Sequence, residues 1–152
     1  MRSLAMVACT TAFGCSIFMR SIERPQATVQ EVSLASAGLT GVSGQLRLDV
    51  TNPNSFGVPL SGIDWQLSLG GARAVTGRVE LSQTIPARGV APITTTLTIE
   101  ARDAFAMASA LSAGARGYRL TAQLHFSTAV GPLELEVEHA GTLGTGALFG
   151  GR

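Results

Sequence analysis

Five stretches of this chain alternate apolar and polar residues with a period of two, the pattern of a half-buried β-strand. "QLRLDV" places Leu46, Leu48 and Val50 on one face, with Gln45, Arg47 and Asp49 on the other. "GIDWQLSL" turns Ile63, Trp65, Leu67 and Leu69 inward, against Asp64, Gln66 and Ser68. "ITTTLTIE" gives an inward row of Ile93, Thr95, Leu97 and Ile99, and "YRLTAQLHF" one of Tyr118, Leu120, Ala122, Leu124 and Phe126. "LELEVEH" sets Leu133, Leu135 and Val137 against Glu134, Glu136 and Glu138. Two less regular strands are expected near 28–36 and 74–82. Turn signals fall between strands: the pair Gly70-Gly71, which should close a tight hairpin, "PARG" at 86–89 and "AVGP" at 129–132. Seven strands with one wet face each predict an all-β, antiparallel two-sheet sandwich.

The period breaks at two places. "RDAFAMASALSAG", residues 102–114, is rich in Ala and holds Phe105, Ala108 and Leu111 at threefold spacing. Asp103 can accept backbone N–H bonds as N-cap, and Gly114 can take the left-handed position after the last turn. One helix near 103–113 is predicted, lying across an open end of the sandwich. The other break is "DVTNPNSFGVPL", residues 49–60. Pro53 holds φ near −65° and lacks a donor, so the strand ends there. Asn52 and Asn54 suit a turn, and Asn54 is expected in the left-handed region. Turn chemistry accounts for Asn52, Pro53 and Asn54 residue by residue, so a structural role is expected ahead of a binding one.

Length allows one ordinary domain in 152 residues. Charged residues are 14%, against roughly 25% in an average soluble protein. The net charge is +1, from 11 Arg, no Lys and 10 acids spread along the chain. No basic stripe is present, which excludes nucleic acid as the expected partner. Both cysteines, Cys9 and Cys15, lie in the first 15 residues, so no disulfide or thiolate metal site can hold the rest together.

That opening segment, "MRSLAMVACTTAFGCSIFMR", has Arg2, an apolar stretch from Leu4 to Met19, and Arg20. Sixteen residues of helix reach about 24 Å, short of the ~30 Å hydrocarbon core, which fits an export signal better than a full span. "TAFGCS" resembles a bacterial lipoprotein signal site, with Gly14 before Cys15 and Ala12 where leucine is usual. Cys15 is the expected lipidation site. An uncleaved signal-anchor is the alternative, and an ordinary buried segment the third. Residues 1–24 are therefore read as leader or membrane anchor, 25–143 as the domain, and 144–152 as a Gly-rich, frayed tail. Either membrane reading places the domain in the cell envelope, facing the periplasm or exterior.

Candidate chemistry is thin. His125 and His139 are the only histidines and are expected on the polar phase of the last two strands, without a third metal ligand. No nucleophile turn with a Ser/His/Asp set presents itself. The Glu134, Glu136, Glu138 row reads as a wet strand face able to meet Arg119 or Arg78, and Trp65 as core. No enzyme, cofactor or metal site is expected.

The stretch "LRLDVTNPNSFGVPLSGIDWQLSLGGARAVTG" resembles the late-embryogenesis-abundant type 2 family, whose domain is called the water stress and hypersensitive response (WHy) domain. The likeness lies in Asn52, Pro53 and Asn54 after an alternating strand, then Pro59-Leu60, Trp65 and Gly70-Gly71. It continues through "IPARGVAPITTTLTI" and the helix to "LELEVEHAGTL", covering roughly residues 25–143. The resemblance implies a fibronectin- or immunoglobulin-like sandwich with one helix, no enzymatic activity, and a role in tolerance of drying, freezing and heat. Bacterial members often follow a lipoprotein signal, whereas plant members are usually cytosolic. A membrane-anchored monomer protecting client proteins or the envelope surface by weak contacts is the leading expectation. An envelope structural or adaptor lipoprotein, binding one defined protein or apolar ligand, is the alternative.

Overall fold

Each alternating stretch is a strand in the computed structural model, which describes residues 22–38, 41–72 and 74–142. In chain order these are β1 (Gln26–Gly38), β2 (Gly41–Thr51), β3 (Val58–Leu69), β4 (Val75–Ile85) and β5 (Val90–Glu100). Helix α1 (Ala101–Ser112), β6 (Gly117–Thr128) and β7 (Gly131–Thr142) complete the order. One sheet runs β1-β2-β5 and the other β4-β3-β6-β7, with antiparallel neighbours throughout. This is the seven-stranded sandwich the alternation predicts, in the strand order of a fibronectin type III domain. Cys15 and the Gly-rich stretch 144–152 lie outside the described residues.

The inward rows meet between the sheets. Leu46, Leu48, Val50, Ile93, Leu97 and Ile99 face Ile63, Trp65, Leu67, Leu69, Leu120, Leu124 and Phe126, and all are buried. Irregular alternation has a physical cause. β1 shifts register against β2 between Val29 and Glu31 and again between Leu34 and Ser36, so its phase is not preserved. β3 shifts between Leu60 and Gly62 against both of its neighbours. That bulge lets the even-numbered Val58 and Leu60 face the same core as the odd-numbered Ile63 and Trp65. β7 is an edge strand, and its Leu133, Leu135 and Val137 are only half-buried.

The Gly pair makes its turn. Gly70 and Gly71 both have positive φ (55° and 77°), and the Ala72 amide donates to the Leu69 carbonyl at 2.8 Å. The strand register resumes only at Leu67 and Val75, so the whole connection is longer than a two-residue hairpin. Between β6 and β7, Thr128 pairs directly with Gly131, leaving Ala129 and Val130 at the tip.

Helix α1 passes from the first sheet to the second and touches β2, β5 and β3. Its N-cap is Glu100, with no side-chain cap bond, so Asp103 is not the cap; it lies in the first turn, where a carboxylate suits the helix dipole. Its far end is as predicted: Gly114 has φ 94°, its amide donates to Leu111 and that of Ala115 to Ala110, a Schellman closure. The buried face is Met107 with Ala104 and Leu111 packed beside it, not the face bearing Phe105. Phe105 precedes Met107 by two residues, about 200° around the helix, and is 77% exposed.

Two aromatic side chains occupy space that cross-strand glycines leave open. Trp65 pairs with Gly77 and Tyr118 with Gly141. A Cβ at 77 would stand 2.3–2.8 Å from the indole, and one at 141 would stand 2.6–2.8 Å from the phenol. Gly77→Ala is therefore expected to lower unfolding free energy by about 1–3 kcal/mol through overpacking. Gly117→Ala, where an added Cβ meets nothing within 4 Å, should stay within about 0.5 kcal/mol of the parent in the same urea titration.

Candidate functional site

The two sheets are joined by crossovers that share one end of the sandwich: residues 52–57 lead from β2 to β3, and 86–89 from β4 to β5. Segment 22–25 and the β6–β7 hairpin tip lie at the same end, since Gln26 pairs with Thr51 and Leu60 with Phe126. The interrupted motif sits at their centre. Asn52 is fully buried and Asn54 is 5% exposed.

The amide of Asn52 bridges the crossovers. Its Nδ2 donates to the carbonyls of Phe56 (2.7 Å) and Pro86 (3.1 Å), with that of Ile85 at 3.3 Å. Its Oδ1 accepts from the backbone amide of Asn54 (2.9 Å) and from Asn54 Nδ2 (3.0 Å). Asn54 then ties down the incoming chain: Nδ2 donates to the Glu23 carbonyl at 2.8 Å, and Oδ1 accepts the Glu23 amide at 2.9 Å. Backbone bonds run alongside, from Asn52 to the Gly89 carbonyl and from Arg88 to the Asn54 carbonyl. Among the described residues no buried side-chain N or O atom lacks a partner.

The expected left-handed backbone at Asn54 is not found. The non-glycine residue with positive φ among the described residues is Arg88, at 50°. The motif closes its turn through the Asn52 side chain with Asn54 outside the left-handed region, and the left-handed residue is on the facing 86–89 turn. Sequence reasoning missed Glu23 and Arg88, because their partners are 31 or more residues away.

A second polar cluster covers the outer face of the four-stranded sheet. His125 Nε2 lies 2.8 Å from Asp64 Oδ2, and Nδ1 lies 3.5 Å from Glu134 Oε1. Arg78 bonds Glu80 and reaches Asp64 at 3.4 Å, and Gln123 donates to Glu134 at 2.7 Å. The Glu80 hydrogen bond, then the Asp64 charge, hold Arg78 more firmly protonated than usual. Alternation put these residues on the polar phase; that they meet depends on the register, which sets Asp64 opposite Gln123 and Arg78 and His125 opposite Glu134 and which the sequence does not display. Within the acidic row of β7 it is Glu134 that meets Gln123 and His125, rather than Arg78 or Arg119. His125 is on the polar phase as expected. His139 is not: it shares the inward phase of Leu133, Leu135 and Val137, is half-buried, and its ring lies 5.9 Å from that of Tyr118. Burial raises the Tyr118 hydroxyl pKa. Carboxylates at both nitrogens orient the His125 ring, and no set of three potential metal ligands occurs among the described residues.

Residues 47–151 match the late embryogenesis abundant protein family (LEA_2). This chain belongs to that family. The LEA_2 assignment takes in the Asn motif, both crossovers and α1. No curated protein matches the chain. Among solved structures, an Arabidopsis thaliana protein solved in solution superposes with a TM-score of 0.69 at 18% identity, over 89% of this chain and 91% of that one. A second solution structure, provisionally assigned as a late embryogenesis abundant (LEA) protein, gives 0.63 at 21% identity over 80% and 71%. A crystal structure of an Archaeoglobus fulgidus protein gives 0.53 at 12% identity over 82% and 98%. At these identities the neighbours establish the shared LEA_2 fold alone.

Replacing Asn54 by Ala leaves the Glu23 amide and carbonyl without their partner, an expected loss of about 1–3 kcal/mol in unfolding free energy. Asn52→Ala removes bonds to three segments and should cost more. Hydrogen exchange separates the two contributions: in Asn54→Ala the Glu23 amide should lose protection well before the β-sheet amides do. Retained protection at Glu23 would show that the bond to Asn54 does not hold this segment.

Proposed function

We propose that this chain is a non-catalytic stress-protection protein of the cell envelope, lipid-anchored through Cys15 and acting as a folded monomer. The observation that carries the reading is membership of the LEA_2 family over residues 47–151, which points to a stress-related protein without enzymatic activity. Physical chemistry narrows the mode of action. With 14% charged residues and a buried two-sheet core, the chain is unlike the hydrophilic disordered proteins that protect by solvation. It works as a folded spacer, placing its surface between client proteins, or between a client and the envelope, that would otherwise stick.

The outer faces suit weak, unspecific contact. Thr94, Thr96 and Thr98 form an exposed hydroxyl row on β5, with Gln45 on β2 beside them. Such groups hydrogen-bond in either direction and impose little charge selection. The exposed large hydrophobics among the described residues are dispersed: Phe105 on α1, Val90 and Val130 at the other end. A contiguous exposed apolar patch would favour the second reading, an adaptor lipoprotein with one defined partner or apolar ligand; Phe105 is a single exposed ring.

Protection without turnover requires molar ratios near or above one. In a freeze–thaw or drying assay on an aggregation-prone enzyme, a fragment spanning 22–142 should raise recovered activity with dose, beyond equal masses of an unrelated stable β-sandwich. Equal recovery with that control would overturn the protective role and leave the adaptor reading. Anchoring is tested separately. Cys15→Ala should abolish palmitate labelling and release the protein to the soluble fraction, whereas membrane retention without label would support an uncleaved signal-anchor.

A further inference from the structure

The end of the sandwich centred on Asn52 and Asn54 is also where the chain enters the fold. Glu23 is fixed to Asn54 through both its amide and its carbonyl, so the described chain begins at this end. Two of the exposed large hydrophobics are here: Val130, at the hairpin tip, is 77% exposed, and Val90, at the start of β5, is 56% exposed. β5 borders β4 and β7 borders β1, so these two side chains stand toward opposite rims of the end. Segments 22–25, 52–57, 86–89 and 129–130 contain two arginines, Arg24 and Arg88, and one carboxylate, Glu23, all exposed. Arg88 has a φ of 50°, its amide is held by the Asn54 carbonyl, and residues 86–88 are exposed.

Aliphatic tips at the rims with guanidinium groups among them match the chemistry of a bilayer surface. Aliphatic side chains enter the headgroup–acyl boundary while guanidinium groups pair with phosphates. We propose that this end docks onto an anionic lipid surface, with Val130 and Val90 in the boundary and Arg24 and Arg88 on the phosphates. The proposal rests on the membrane attachment argued above and adds an orientation to it: α1 and Phe105 point away from the bilayer, toward clients. Seven residues separate Cys15 from Glu23, eight Cα–Cα steps with a reach of at most about 29 Å. A tether that short holds the end at high effective concentration beside the surface, so weak contacts suffice to orient it.

The test uses the full-length chain in vesicles of phosphatidylglycerol and phosphatidylethanolamine carrying brominated acyl chains, which quench tryptophan at the boundary. Val130→Trp and Val90→Trp report on the docking end, and Phe105→Trp on the far end. Trp65 is buried and supplies a constant background, measured in the parent. The signal added at 130 and 90 should fall by about half, and that at 105 should not change. Combining Val130→Trp with Arg24→Gln and Arg88→Asn should remove most of the quenching, as should phosphatidylcholine vesicles. Sedimentation with the vesicles without quenching at 130 and 90 would leave the anchor standing and overturn the docking. Equal quenching at all three positions would overturn the orientation. Failure to sediment would remove both attachment and docking.

Discussion

One buried amide ties the two sheets of this protein together at the end where the chain passes between them. The Asn52 side chain accepts from its own turn and donates both to the Phe56 carbonyl on its own crossover and to the Pro86 carbonyl on the facing one. Hydrophobic burial between the sheets is non-directional, whereas hydrogen bonds to fixed carbonyls hold only within a narrow range of distance and angle. Asn54 extends the same restraint to the incoming chain. The cost of losing any member is high because the site excludes water, so each unmet group would bear its full desolvation penalty.

The other end is closed by different means. Helix α1 lays Met107 over the core edge, while Phe105 and the exposed serines face out. Polar bonds lock one end and apolar cover seals the other. The locked end holds two arginines and the entry of the chain; the sealed end presents the isolated aromatic ring. This polarity makes the two ends of the domain chemically distinct, even though the overall charge of the chain is close to zero.

Fold class was legible because five strands kept a strict period of two, and the inward rows built on Leu46, Ile63, Ile93 and Leu120 are the core. What was not legible depends on register. Two bulges disturb β1, one in β3 shifts phase between Leu60 and Ile63, and the β3–β6 register, with Gly62 opposite His125, sets Asp64 beside that ring. Helix phase misled for a related reason: threefold spacing of Phe105, Ala108 and Leu111 describes a face without saying whether the sheets lie under it. The Asn motif could be read as a turn, since Pro53 must end β2. Its links to Glu23 and the 86–89 turn could not, because local propensity carries no information about partners more than thirty residues away. His139 shows a plainer limit, a polar residue on an apolar phase at an edge strand.

The acidic row on β7 gains a meaning when water is withdrawn. Drying raises protein concentration, and an open sheet edge is then a template for pairing with a second copy. β7 is such an edge, twelve residues long. Glu134, Glu136 and Glu138 project from it on the solvent side, and Pro132 near its start lacks an amide to donate. Two copies meeting along this edge would bring carboxylate rows together as their counter-ions and water are being lost. Edge-to-edge growth is thereby disfavoured when crowding would most promote it, so the molecule can become concentrated without seeding the aggregation it is proposed to prevent.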